Sequence, residues 1–208
     1  MKTLLPKLAA ASALALVIFA APAQAADKGE LLANADRTVT HLKHDPAFAT
    51  AARMMDGARA VYIVPKLVKG GFIFGAEGGA GVLVRRTKGG WGEPKFYDMG
   101  SASFGLQAGL EQAELVFIIN SERALSGIEH GNFKLGAGAG ITVVNLSSGA
   151  EGATTAHGGD IVVWTSGTGA YAGISFNGSV ISPDKDLNST PTVGPEAQKL
   201  RANLASVR

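Results

Sequence analysis

The sequence predicts an α+β fold: N-terminal helices packed on a curved, largely antiparallel, glycine-rich sheet, a partly closed barrel being one form of it, with a short C-terminal helix. Three observations carry this expectation. Apolar residues recur at helical spacing before Gly57 and after Pro195. From Val61 to Ile181 the chain is rich in Val, Ile, Phe and Gly and is broken at intervals by turn residues, which reads as β. Between Gly70 and Val84, six glycines stand among Phe72, Phe74, Val82 and Leu83. Glycine weakens helix and strand by roughly 0.5–1 kcal/mol per site, so such a segment implies close backbone approach or positive φ.

The first helix rests on Leu31, Ala35, Val39 and Leu42, which share one face. Asp45-Pro46 reads as an N-cap followed by proline in the first turn, opening a second helix with Phe48, Ala52 and Met55 on its apolar side and Gly57 as its stop. Strands are expected at Ala60–Val64, Gly81–Arg86, Lys95–Phe104, Leu115–Asn120, Phe133–Val144, Asp160–Thr165, Ala170–Phe176 and Ser179–Ser182. Ser121 caps a short helix to Leu125. Asn177-Gly178 suits a tight hairpin turn. The small, polar stretch from Ser147 to Gly159 reads as a loop or hairpin end. The last helix begins at Pro195, with Ala197, Leu200 and Leu204 on one face.

The N-terminus has the layout of a cleavable export signal: Lys2 and Lys7, an apolar run from Leu8 to Ala21, and Ala23-Gln24-Ala25 as the cleavage site. A membrane anchor is the alternative, but the run is short for a span of about 20 residues. The expected division is a signal over 1–25 and one domain over 26–208, placed in the periplasm or outside the cell. The chain has 19 basic and 17 acidic side chains; removing Lys2 and Lys7 leaves 19 − 2 = 17 basic, a balanced charge. With no net positive charge and no dense basic stripe, a nucleic-acid partner is not expected. The chain has no cysteine, which excludes disulfides and thiol chemistry.

Enzymatic readings find little support. Gly167-Thr168-Gly169-Ala170-Tyr171-Ala172 has the outline of a dinucleotide loop, but strand-like residues follow where a helix must begin. There is no G-x-S-x-G elbow. His41 and His44 share a helix face beside Asp45, without a second pair of ligands, so no metal site is expected. Glu77 sits in a glycine-rich, apolar setting. It is either a general base or, the preferred reading, a partner for exposed amides in a tight turn. No cofactor is expected.

The pattern Gly71-Phe72-x-Phe74-Gly75-x-Glu77-x-Gly79-x-Gly81-Val82-Leu83, then Arg85, Trp91, Pro94 and Phe96, resembles the SYLF domain family, which is also described as lipid-binding and, in fungi, as actin-binding. The resemblance extends to Ala58-Arg59-Ala60-Val61-Tyr62-Ile63-Val64-Pro65, Gly105-Leu106-Gln107-Ala108-Gly109, Glu114 to Ile119, Phe133-Lys134-Leu135-Gly136 and Ala170 to Gly178, roughly residues 53–188. It implies a non-enzymatic protein with an affinity for lipid. Two departures weigh against phosphoinositide or actin binding. Trp164 to Gly169 lacks the basic residues of many members, and Asp184 to Thr190 replaces the usual acidic and tyrosine-rich ending.

The residues themselves suggest where lipid would bind. Lys66, Lys69, Arg85, Arg86, Lys88 and Lys95 fall within thirty positions, interleaved with Phe72, Phe74 and Trp91. Each Lys or Arg near an anionic membrane contributes about 1 kcal/mol, and tryptophan favours the water–lipid interface. These nine residues are the expected lipid-binding face, with the aromatics as core and the charges as solvated strand ends the alternative. The expected partner is an anionic lipid or membrane surface. A protein partner in the cell envelope, met by the glycine-rich sheet, is the second reading.

Overall fold

The computed structural model describes residues 27–45, 48–71, 74–104, 109–131, 133–135, 143–147, 159–166 and 178–207. The expected signal, the strand predicted at Ala170–Phe176 and most of the Ser147–Gly159 stretch lie outside these residues, as do Pro46 and Phe72.

The fold is α+β. Helix α1 (Lys28–His44) is capped by Asp27, whose carboxylate accepts the Gly29 amide at 2.8 Å. Its buried stripe is the predicted one, and Asp36 and Thr38 are buried beside it. After α2 (Phe48–Asp56) come strands β1 (Ala60–Gly71), β2 (Phe74–Thr87), β3 (Gly90–Trp91), β4 (Lys95–Phe104) and β5 (Gly109–Ile119). Helix α3 (Glu122–Glu129) follows, with Ser121 accepting the Ala124 amide at 3.2 Å. Then come β6 (Phe133–Lys134), β7 (Val143–Ser147), β8 (Ile161–Thr165), β9 (Val180–Pro183) and α4 (Pro195–Ala205), which starts on Pro195 as predicted.

The strands form one curled sheet ordered β6-β9-β4-β2-β1-β5-β8-β7, with β3 added beside β2. All pairs are antiparallel except β7 with β8. Both faces of its middle are buried, which explains the unbroken apolar runs Val61–Val64, Leu115–Ile119 and Ile161–Trp164. Helices α1, α2 and α4 cover one face, packing on Val61, Ile63, Val82, Val84 and Val116. Helix α3 covers part of the other, against Tyr62, Leu83, Tyr97 and Phe117.

The sequence expectation falls short at the glycine-rich segment. Strands β1 and β2 do not stop at Val64 and begin at Gly81. They continue as paired arms to Gly71 and from Phe74, with Gly71 opposite Gly75. None of the described glycines in these arms has positive φ. Close approach is the reason at two of them. A Cβ on Gly81 would meet the Tyr62 ring at 2.5 Å, and one on Gly79 would meet the Lys66 carbonyl oxygen at 2.5 Å. The ladders of β1 are interrupted around Pro65-Lys66: pairing to β2 breaks between Ile63 and Val68, and pairing to β5 between Val64 and Leu67.

Candidate functional site

Of the nine residues predicted to form one face, Phe72 lies outside the described residues and the other eight divide between the two ends of β2. Arg85, Arg86, Lys88, Trp91 and Lys95 lie at the near end, where Ala60 pairs with Arg85 and Leu83 with Lys95. Lys66, Lys69 and Phe74 lie at the far end, where β1 and β2 approach their hairpin. Lys69 is opposite Glu77, ten residues before Thr87 along β2, or roughly 33 Å at about 3.3 Å per residue. Closeness in sequence becomes distance in a long hairpin.

The near end is committed to the fold. Trp91 is 3% exposed and belongs to the helix-side core, so it is no interfacial anchor; burying so large a ring is a strong driving force. The Arg86 guanidinium lies 4.3 Å over that ring and donates to the Met55 carbonyl at 2.6 Å and the Ala58 carbonyl at 3.1 Å, closing the end of α2. Arg85 forms ion pairs with Glu129 at 2.9 Å and Glu122 at 2.6 Å, tying α3 to β2. The Glu129 and then the Glu122 carboxylate hold its guanidinium still further above its usual pKa. Lys95 pairs with Glu93 at 3.4 Å. Of the five, Lys88 stands exposed in the turn before β3 without a described ion pair.

The far end is a different surface. Four strands run there side by side in the order β5-β1-β2-β4. Phe74 stands in register with Phe104, and Gly71 with both Gly75 and Gly109. The buried cluster under α1, α2 and α4 includes Ile63, Val82 and Val116 but no residue of β1 beyond them, so the arms reach past the helical layer. Lys66 is exposed at the interruption of β1 and lines a cleft of about 140 Å³ with Gln112, Glu114 and Ser166. Glu114 is itself engaged by α1, accepting from Thr38 at 2.8 Å and lying 2.9 Å from His41 Nδ1.

Glu77 is not in a turn. It sits mid-strand in β2 and accepts from the hydroxyls of Ser101 at 2.7 Å and Ser179 at 3.4 Å. Lys69 is its register partner on β1, and Glu111 is that of Lys69 on β5. Sequence reasoning missed this row. The alternation Glu77, Gly79, Gly81, Leu83 is its only trace, and it is legible once the segment is taken as strand. Among the described residues no group of three or more His, Asp or Glu is placed to hold a metal, and no helix is long and apolar enough to cross a membrane.

Residues 100–191, which run from within β4 through β5 and α3 to beyond β9, match the family model described as "Ysc84: Las17-binding protein actin regulator". Over this stretch the chain is similar to the Ysc84/SYLF family. The chain is 34% identical to Protein YSC84 of Saccharomyces cerevisiae over 127 residues, which is 59% of this chain and 27% of that one. It is 32% identical over 127 residues to LAS seventeen-binding protein 3 of the same yeast, covering 59% and 28% of the two chains. It is 32% identical over 128 residues to SH3 domain-containing YSC84-like protein 1 of Xenopus laevis, covering 60% and 38%. The chain thus spans well under half the length of these relatives. No solved structure matches it significantly.

Proposed function

We propose that this protein is a non-enzymatic, exported binding module that attaches to membrane surfaces through the far end of its sheet. The observation that carries the reading is the register of Phe74 with Phe104 at the end of arms that reach past the helices, beside Lys66 and Lys69. Apolar residues at the tip of a paired element suit shallow insertion, and nearby lysines add attraction to anionic headgroups. The charge contribution is modest, because Lys69 stands in register with Glu77 and Glu111. Insertion therefore dominates, where the sequence had suggested charge. The near-end cations take no part, since Arg85 and Arg86 are engaged within the fold. A protein partner is the second reading; the family model's description as Las17-binding and the name of one yeast relative, LAS seventeen-binding protein 3, favour it.

Cosedimentation of the purified protein with phosphatidylcholine vesicles, with and without phosphatidylglycerol, tests the reading. Phe74→Asp and Lys66→Glu should release the protein, whereas Lys88→Glu at the opposite end should not. Parent protein that leaves all vesicles unbound would transfer the function to a protein partner. Equal loss in Lys88→Glu would mean that the far end is not the contact.

A further inference from the structure

Across the root of the far-end arms runs a single polar row, Glu111–Lys69–Glu77–Ser101, one residue from each of β5, β1, β2 and β4 in direct register. Ser179, fully buried ahead of β9, extends it to a fifth segment through its hydroxyl bond to Glu77. The next rows inward are apolar and buried, with Met99 in register with Gly79 and Leu67 with Ala113. We propose that this row recognises a lipid headgroup that carries a primary ammonium next to a phosphate, the phosphoethanolamine arrangement. The inference rests on the membrane reading above and names the headgroup for it.

The hydrogen-bond inventory argues for the ammonium. Ser101 and Ser179 each have one hydroxyl proton, and both protons go to Oε1 of Glu77. Ser179 is buried, so the acceptors left to a ligand are the lone pairs of the Ser101 oxygen and of the second carboxylate oxygen of Glu77, which has no described donor. The cluster is thus an acceptor surface with a negative charge, and it fits a group bearing several N–H donors. A quaternary ammonium has no N–H and leaves these acceptors unmet; a primary ammonium satisfies them. Lys69 argues for the phosphate. It faces Glu77 directly across the ladder, yet no ion pair joins the two among the described residues. Their Cβ atoms stand about 4.5–5.5 Å apart in such a pair. The Lys69 ammonium, a triple donor, is left beside the carboxylate cluster, where one zwitterion can meet both.

A divalent cation is a poorer fit. Calcium takes six to eight oxygens, the row supplies two carboxylates, Glu77 and Glu111, one on each side of Lys69, and Lys69 would repel the ion.

The test compares binding of the full chain to vesicles of phosphatidylcholine alone, phosphatidylcholine with phosphatidylethanolamine, and phosphatidylcholine with phosphatidylglycerol. The expected result is about tenfold tighter binding when ethanolamine headgroups are present than to phosphatidylcholine alone, the ratio of one charge-assisted hydrogen bond. Glu77→Gln and Lys69→Met should each remove that preference while leaving residual binding to phosphatidylcholine. If Glu77→Gln loses its circular dichroism signal, Lys69→Met and Ser101→Ala carry the comparison. Soluble phosphoethanolamine at millimolar concentration should compete, which separates recognition of the headgroup from recognition of the bilayer. Equal binding to all three vesicles overturns this inference and leaves the membrane reading standing. A preference that survives in both Glu77→Gln and Lys69→Met overturns it too, as does competition by calcium chloride without competition by phosphoethanolamine. No binding to any vesicle overturns both proposals.

Discussion

The Tyr62 ring fills the space that a side chain at position 81 would need: a Cβ built on Gly81 lies 2.5 Å from Tyr62 Cε2 and 2.7 Å from the Ile63 carbonyl oxygen. Tyr62 is wholly buried and its hydroxyl donates to the Tyr97 carbonyl at 3.1 Å, so the ring cannot retreat. Gly81→Ala should therefore cost about 1–3 kcal/mol by overpacking. Gly79→Ala should behave alike, because the Lys66 carbonyl stands in its way. Gly78→Ala meets its nearest neighbour at an ordinary 3.5 Å and should stay within about 0.5 kcal/mol of the parent. Urea melts of the three variants check the contrast; equal midpoints would show that close approach does not explain these glycines.

Arg86 and Lys88 are two residues apart and should differ sharply. Arg86→Ala removes two charge-assisted bonds to the carbonyls that end α2 and the stack on Trp91, a loss of about 2–3 kcal/mol. Lys88→Ala should fall within about 0.5 kcal/mol of parent. Chemical denaturation is the measurement, and similar stabilities would refute the structural role of Arg86.

Arg85 ties α3 to the sheet through two half-exposed ion pairs. Pairs of this kind contribute about 0.2–1 kcal/mol each, so Arg85→Ala should lower global stability by roughly 1 kcal/mol or less. Its clearer signature is local: amide exchange in Glu122–Glu129 should quicken while β1 and β5 stay protected. Uniform protection across α3 would show that its apolar contacts suffice.

Two carboxylates should respond to pH in opposite directions. Partial burial, and then the nearby Asp184 carboxylate, raise the pKa of Asp98. The folded state then holds the proton at a pH where the unfolded chain has lost it, so stability falls as pH rises through that raised value. Asp98→Asn should lift the melting temperature by roughly 1–3 °C at neutral pH, with the gain vanishing below the ordinary carboxylate range. For Glu93, the Thr192 amide first, and then Lys95, lower the pKa against a smaller opposing effect of burial. Its contribution is present above the unfolded value and is lost as pH falls through the folded one. Glu93→Gln should be less stable than parent at neutral pH and equal to it in acid. Melting curves across pH would contradict this if the two variants shifted the same way.

The helices and the middle of the sheet were legible because local chemistry decides them. The α1 stripe, the Ser121 cap and Pro195 at the start of α4 are each readable within a few residues. The glycine-rich arms were not, because glycine propensity argues against strand, whereas here the partner strands impose it: Gly81 is extended because β1 and β4 flank it and Tyr62 needs the room. The candidate site failed in the same way. Lys69 and Lys88 look adjacent along the chain, and only the length of β2 separates them. Which cations are engaged, Arg85 with Glu129 or Arg86 with Met55, depends on residues about thirty to forty positions away and leaves no local mark.

Helices α1 and α4 are joined by Asp36, which is buried and accepts from Lys199 at 3.0 Å and Asn203 at 2.8 Å, while Lys43 reaches Ser206 at 2.6 Å. These partners are more than 160 positions apart in sequence, and every strand of the sheet lies between them. Closing so long a loop is entropically unfavourable until the intervening strands have paired. The contacts of Asp36 and Lys43 with α4 therefore reward folding only after the strands between the two helices have paired, which makes the α1–α4 seam a late step and its loss an early one.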